Sequence, residues 1–207
     1  AAINEVFWSL GITTYYAVYA RIGTDAVAAV NITSTIENMT FVLFIGAANA
    51  CAIMIGNQIG ADNEESAYDY GLRFLVISFS LSILLGTLVL ILRPFILSLY
   101  NVGPASYDYA YKIQFIYAVT MWIRMTNLML FIGVLRSGGD TRYALKVEMS
   151  SIWLIGVPSA LIGGFVLHLP VYYVYALVLL EEIVKLVIVI PRFRSRKWIH
   201  NLTGITE

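Results

Sequence analysis

The chain has 207 residues, of which 59% are hydrophobic and only 13% charged, with formal net charge +0 and mean hydropathy +0.78. A soluble domain carries about a quarter charged and about half apolar residues, so this composition names lipid as the solvent and excludes a soluble enzyme; an aromatic content of 14% excludes intrinsic disorder. The 13 Lys and Arg are matched by 13 Asp and Glu, which excludes nucleic-acid binding by counterion release, and the single Cys51 excludes both an internal disulfide framework and a Cys-based metal cluster.

Ala1 leads straight into an apolar helical pattern with no Met, no charged leader and no capping residue, so no secretory signal is expected and the first helix reads as cut. A membrane span needs about 20 mostly apolar residues, and the turn signals divide the chain into six. The first covers about 1–20 and ends at Arg21-Ile22-Gly23-Thr24-Asp25. The second covers 26–59 and closes in the polar stretch 60–65. The third, 67–92, is expected to stop at Arg93-Pro94. The fourth covers 105–135, ahead of Arg136-Ser137-Gly138-Gly139-Asp140. The fifth covers 143–167 and the sixth 171–190, with Pro191 expected to end it. Runs of this length are too long for strands and lack the alternation of a membrane barrel, so the predicted fold is an all-α membrane bundle of six helices.

With six spans the termini share one side. That side holds Arg73, Arg136, Arg142, Lys146, Arg192, Arg194, Arg196 and Lys197, against Arg21, Arg93 and Lys112 opposite. The bias predicts cytoplasmic termini in a multi-pass protein of the plasma membrane. The closing run RFRSRKW reads either as a basic anchor with Trp198 at the membrane interface or as a solvated tail. Asn31, Asn38 and Asn201 each open an Asn-x-Thr triplet, but their positions in spans or in the tail make none a glycosylation site.

Ionisable groups inside a span cost at least ~2.5 kcal/mol each and are default functional candidates. They are Glu5, Glu37, Arg124, Glu148, Glu181, Glu182 and Lys185. Glu148 is close enough to a loop to snorkel, and Lys185 is spaced to pair with Glu181, so these and Glu182 are read as structural. Asn31, Thr35 and Asn38 form one helical stripe with Ser34 and Glu37 beside it; Thr120, Arg124 and Asn127 form another. Two such stripes plus Glu5 predict a polar cavity, with Glu5 and Glu37 as ion-coupling acids and Asn31, Thr35, Asn38, Thr120, Arg124 and Asn127 as its wall. The alternative is that Arg124 merely neutralises Glu37 or Glu5 as a structural pair. Arg124 needs a carboxylate partner, a water-filled cavity or both; a carboxylate within about 4 Å is expected, with Glu5 favoured over Glu37. The small residues Gly46, Ala47, Ala48, Ala50, Gly56 and Gly60, together with Gly163 and Gly164, suit close helix approach, and Pro158 is expected to kink the fifth span. Neither histidine belongs to a metal or triad spacing, and no intramembrane nucleophile motif is present, so neither an enzyme nor a metal site is expected.

INEVFWSLG at 3–11, RIGTDAVAAVNI at 21–32, IGNQIGA at 55–61, GVLRSGGDTRYAL at 133–145, IWLIGVPSA at 152–160 and the stretch from EEIVKL to RFRSRKWI resemble the multidrug and toxic compound extrusion (MATE) family of cation-coupled exporters, most specifically in LRSGGDT. The resemblance implies a twelve-helix, pseudo-symmetric transporter of which this chain is the carboxyl-terminal half, helices seven to twelve. It implies a partner, the amino-terminal six-helix lobe in the same polypeptide or a second copy. It also implies export of organic cations or amphipathic compounds in exchange for H+ or Na+, with no cofactor beyond that ion. Glu5 matches the family's acidic residue of the seventh helix. Met125 stands where the best-known sodium-coupled members carry an Asp in the tenth, so a sodium site built in that way is not expected. A lipid-linked oligosaccharide flippase of the same superfamily and a non-transporting membrane subunit are the alternatives.

The charge bias generates a topology test. A cysteine placed at His168 should react with an impermeant thiol reagent in intact cells and one at His200 should not; the reverse labelling would invert the orientation.

Overall fold

Lipid offers the backbone no hydrogen bonds, and the chain meets that constraint almost entirely with helix. A computed structural model describes the backbone of residues 2–200 and the side chains of residues 6–200. Its helices are α1 (Ala2–Ile22), α2 (Thr24–Gly60), α3 (Glu64–Ser98), α4 (Pro104–Arg136), α5 (Thr141–Val166) and α6 (171–194). Four of them, α2 to α5, are long and apolar enough to cross a membrane. Among the described residues there is no strand, only an isolated bridge between Gly139 and Ile199.

The boundaries follow local chemistry. Gly23 alone joins α1 to α2, at φ +150, a backbone that side chains disfavour. Asn63 caps α3 by accepting from the Ser66 N–H at 3.2 Å, and Pro104 opens α4 where its missing N–H costs nothing. Two sequence expectations give way here. α3 runs through Pro94 to Ser98, and α6 runs through Pro191 to Arg194. Each proline removes one N–H bond to the carbonyl four residues earlier, and each helix continues only about one turn past it. Pro158 does not break α5 either. The helix absorbs it between π-helical stretches at Ile152–Gly156 and Ile162–Val166, the local adjustment by which membrane helices re-satisfy freed carbonyls.

α4 forms the centre of the bundle, with Ile113, Tyr117, Met121 and Met129 wholly buried, and α3 lies at its edge with Val76, Ile77, Leu84 and Ile91 turned outward. That inside-out exposure of apolar residues is what a lipid-facing helix requires. The small residues divide unevenly. Gly133 brings α4 against Ala48 and Cys51 of α2, and Gly163 and Gly164 admit Val174 and Val18, whereas Gly46, Gly56 and Gly60 touch nothing within this bundle. The expected close packing therefore holds for α5 but not for the α2 glycines.

At one end, the loop 137–140 is closed by the residues after α6. The His200 N–H donates to Gly138 O at 2.8 Å, Arg192 meets Asp140 at 2.7 Å, and Arg196 meets Glu65 at 2.8 Å. Trp198 is fully buried, donating to Phe193 O at 3.1 Å, and its ring stacks on Phe193, which stacks on Tyr68. The sequence expectation of an interfacial Trp198 is thus corrected: the indole plugs the loop against Gly138. A methyl group at Gly138 would overlap the Trp198 ring and carbonyl.

Gly138→Ala should therefore cost about 1–3 kcal/mol, the usual penalty for overpacking, and lower the unfolding temperature in detergent. Gly46→Ala, with open space around it, should not. Equal melting of the two variants would refute the plug.

Candidate functional site

The ionisable groups of the spans converge. A cavity of about 540 Å³ is lined by α1, α2, α4, α5 and α6, and Glu37, Arg124, Arg136, Glu148, Glu181, Glu182 and Lys185 all reach its wall. Arg124 projects from α4 and Glu37 from α2, and Arg124 Nη1 lies 3.1 Å from Glu37 Oε1. Tyr175 of α6 bridges them: its hydroxyl accepts from Arg124 Nη1 at 3.4 Å and donates to Glu37. The acid that Arg124 reaches is Glu37. The sequence favours Glu5 for that place, and the side chain of Glu5 lies outside the described residues, on the first turns of α1.

The pair is not dry. The Arg124 and Glu37 side chains keep 31% and 21% of their accessible surface. An ion pair at a cavity wall escapes most of the desolvation penalty of a sealed one and stays open to a competing charge.

A second cluster sits on α6. Lys185 Nζ is 3.3 Å from Glu181 Oε1 and 3.1 Å from Glu182 Oε1, so the pairing read from i,i+4 spacing exists but is shared between two acids. Tyr15 of α1 donates to Glu181 Oε2 at 2.6 Å. Asn127 of α4 donates through Nδ2 to Glu182 Oε2 at 2.7 Å and to the Glu182 carbonyl at 2.8 Å. Glu148, rather than snorkelling alone, pairs with Arg136 at 3.2 Å.

Of the residues read from sequence as cavity wall, Asn38, Arg124 and Asn127 line it together with Glu37. Asn31, Thr35 and Thr120 do not. Asn31 and Thr35 are exposed on the outer side of α2, and the Thr120 hydroxyl folds back to donate to Ile116 O at 2.7 Å. Sequence reasoning missed the tyrosines. Tyr15 and Tyr19 face the cavity at i,i+4 spacing on α1, a pattern that was legible, whereas Tyr175 lies in an otherwise apolar run that gave no signal.

A family model described as MatE matches residues 1–162. The chain belongs to the MATE family. Among relatives of this MATE chain, an uncharacterized transporter, YisQ, of Bacillus subtilis (strain 168) is 26% identical over 171 residues, 80% of this chain and 37% of the relative. The multidrug resistance protein MdtK of Photorhabdus laumondii is 27% identical over 156 residues, 75% of this chain and 33% of the relative. In structure, an outward-facing multidrug resistance MATE family transporter of the MOP superfamily superposes with TM-score 0.86 at 18% identity, over 98% of this chain and 45% of that one. The bent form of the Vibrio cholerae MATE transporter VcmN gives TM-score 0.82 at 19% identity, over 99% and 47%. The MATE chain thus spans under half the length of these relatives, shares their fold, and is a multi-pass membrane protein of a transporter family rather than an enzyme family.

Glu37→Gln in this MATE chain removes the acid from Arg124, and Arg124→Gln the reverse; each should cost about 1–3 kcal/mol. Unfolding in detergent should give a double variant that costs less than the sum, with a coupling of about 0.5–3 kcal/mol. Additive costs would mean the two groups do not interact.

Proposed function

We propose that the chain is the carboxyl-terminal lobe of a twelve-helix antiporter, exporting organic cations or amphipathic compounds in exchange for H+ or Na+. The observation that carries this reading is the Arg124–Glu37 pair, held at 3.1 Å on the wall of a cavity and open to it. A cation entering the cavity competes with Arg124 for one carboxylate. A proton or Na+ on Glu37 releases both the guanidinium and the Tyr175 bridge, which biases the lobe between two arrangements and so between inward and outward access. Glu5 joins Glu37 as a coupling acid on the strength of the INEVFWSLG likeness.

The outer stripe of α2 supports a missing partner. Asn31 and Thr35 are exposed at membrane depth, where polar groups must meet protein or water. Their own lobe does not cover them, so we assign that face to the amino-terminal lobe, with the substrate path between the two. The Lys and Arg bias supports cytoplasmic termini, and we read the membrane as the plasma membrane. The lining charges weigh against an anionic lipid-linked cargo: Glu37, Glu148, Glu181 and Glu182 outnumber Arg124, Arg136 and Lys185.

In vesicles holding the whole transporter, Glu37→Gln should abolish ion-driven efflux while leaving expression and folding intact, and Glu5→Gln should do the same. Efflux at wild-type rate in Glu37→Gln would move coupling away from the Arg124 pair, and wild-type efflux in both would end the antiport reading for this lobe.

A further inference from the structure

The cavity lining carries one more acid than base, and the pairings show where the excess lies. Glu37 has Arg124 to itself, and Glu148 has Arg136. Glu181 and Glu182 share one ammonium, Lys185, and all three side chains are largely buried. Two adjacent carboxylates with a single counter-charge, away from bulk water, do not both stay ionised at modest cost. One further positive charge belongs there.

Hydrogen-bond chemistry separates the two acids. Glu182 accepts from Asn127 Nδ2, an N–H that can only donate, and the same nitrogen is fixed by the Glu182 carbonyl. With Asn127 donating to Oε2 and Lys185 to Oε1, both oxygens of Glu182 already take donors that cannot accept, which favours its ionised form. Glu181 instead meets the Tyr15 hydroxyl at 2.6 Å. A hydroxyl donates to a carboxylate and accepts from a carboxylic acid equally well, so this contact survives protonation unchanged. Space is reserved for it: a methyl group at Gly156 of α5 would overlap both the Tyr15 hydroxyl and Glu181 Oε2. Asn127, only 3% exposed, holds Glu182 through Nδ2 and leaves its Oδ1 buried with no donor in contact, an acceptor next to this cluster that still lacks a hydrogen.

We propose that Glu181 is a proton-carrying carboxyl group, a second ion site of this lobe, set on α6 and separate from the Arg124–Glu37 pair. It rests on the export reading only for its use in coupling. The proton is favoured over a metal ion because Lys185 already stands within 3.3 Å of both acids, where a metal would have to displace it. Tyr15 and Lys185 touch Glu181 directly, and the other charged and titratable groups on the same cavity wall are Tyr16 and Tyr19 from α1, Glu37 from α2, Tyr117, Arg124 and Arg136 from α4, Glu148 from α5, and Tyr175 and Glu182 on α6 itself. On proton loss Lys185 must serve two anions at once. On proton gain it is released toward Glu182, and Glu181 donates to Tyr15. Glu181 lies two residues after Leu179, where α6 stays helical at φ -64 and ψ -13 and its backbone bonds continue from Tyr175 to Ile183.

Infrared difference spectroscopy of the purified full-length protein across a pH titration reads the site without transport. We expect the carbonyl stretch of a buried carboxylic acid that disappears in Glu181→Gln, shifts in frequency in Tyr15→Phe, and stays in place in Tyr175→Phe, which touches Glu37 instead. The assignment is overturned if no wild-type band is lost in Glu181→Gln, if the band so lost is the one that Tyr175→Phe shifts, or if Na+ abolishes that band at constant pH; a separate band that persists in Glu181→Gln and follows Tyr175→Phe belongs to Glu37. The two readings fail separately. Wild-type vesicles that exchange no ion for any substrate end the export reading, whereas the infrared assignment stands or falls on these variants alone.

Discussion

A charge taken into hydrocarbon must meet its opposite, and in this lobe that requirement decides which helices face one another. Among the described residues every ionisable group at membrane depth has a counter-charge: Arg124 of α4 with Glu37 of α2, Arg136 of α4 with Glu148 of α5, and Lys185 with its own neighbours Glu181 and Glu182. Neutral polar contacts tie in the remaining elements, Tyr15 of α1 to Glu181 and Asn127 of α4 to Glu182. α4 is therefore the hub. Lipid-facing surfaces are interchangeable by comparison, since apolar contact between helices gains little over contact with acyl chains. Polar partners supply the register that apolar packing leaves open.

The same pairings keep the cavity from collapsing into a dry core. A lobe lined only by Leu and Val at this place would pack shut, whereas seven charged side chains around about 540 Å³ hold it open to water and to a small cation. Irregular backbone gathers nearby. The π-helical stretch Met129–Arg136 of α4 carries the cavity-lining Phe131, Ile132 and Arg136, and the stretch Ile152–Gly156 of α5 brings Gly156 against Tyr15 and Glu181. Departures from the α-helical ladder are tolerated at membrane depth where they line a cavity rather than face lipid, and π turns are frequent at working sites.

How much of this was legible from sequence divides by range. Apolar run length gave six helices and nearly all their ends, because that signal is local. Pro94 and Pro191 misled because a proline near a helix end loses only a bond or two, which the spans absorb. The need of Arg124 for an acid followed from hydrocarbon alone, but the choice of Glu37 did not: it depends on how α2 is rotated against α4, which no spacing within either helix encodes. In the stripe Asn31, Thr35, Asn38 only Asn38 reaches the cavity; Asn31 and Thr35 face outward, a side that spacing within α2 does not encode. Lys185 was matched with one acid by spacing, and its sharing with Glu182 becomes visible only with side-chain geometry. Tyr175 and Trp198 were the hardest. Their roles come from partners far away in sequence, Glu37 and Gly138, and an aromatic residue at a span end looks the same whether it meets headgroups or plugs a loop.

That plug also orders events in time. Trp198 is made well after Gly138, so during synthesis the loop 137–140 waits, its glycine floor uncovered, until α6 has been inserted and the residues behind it have left the ribosome. Closure then joins the beginning of α3, the α4–α5 junction and the end of α6 in one step, through Glu65, Asp140 and the stacked rings of Tyr68, Phe193 and Trp198. Helices α1 to α5 can enter the membrane one after another, but the contacts that tie α3, the α4–α5 junction and the end of α6 together at this end form only once Trp198 has been made.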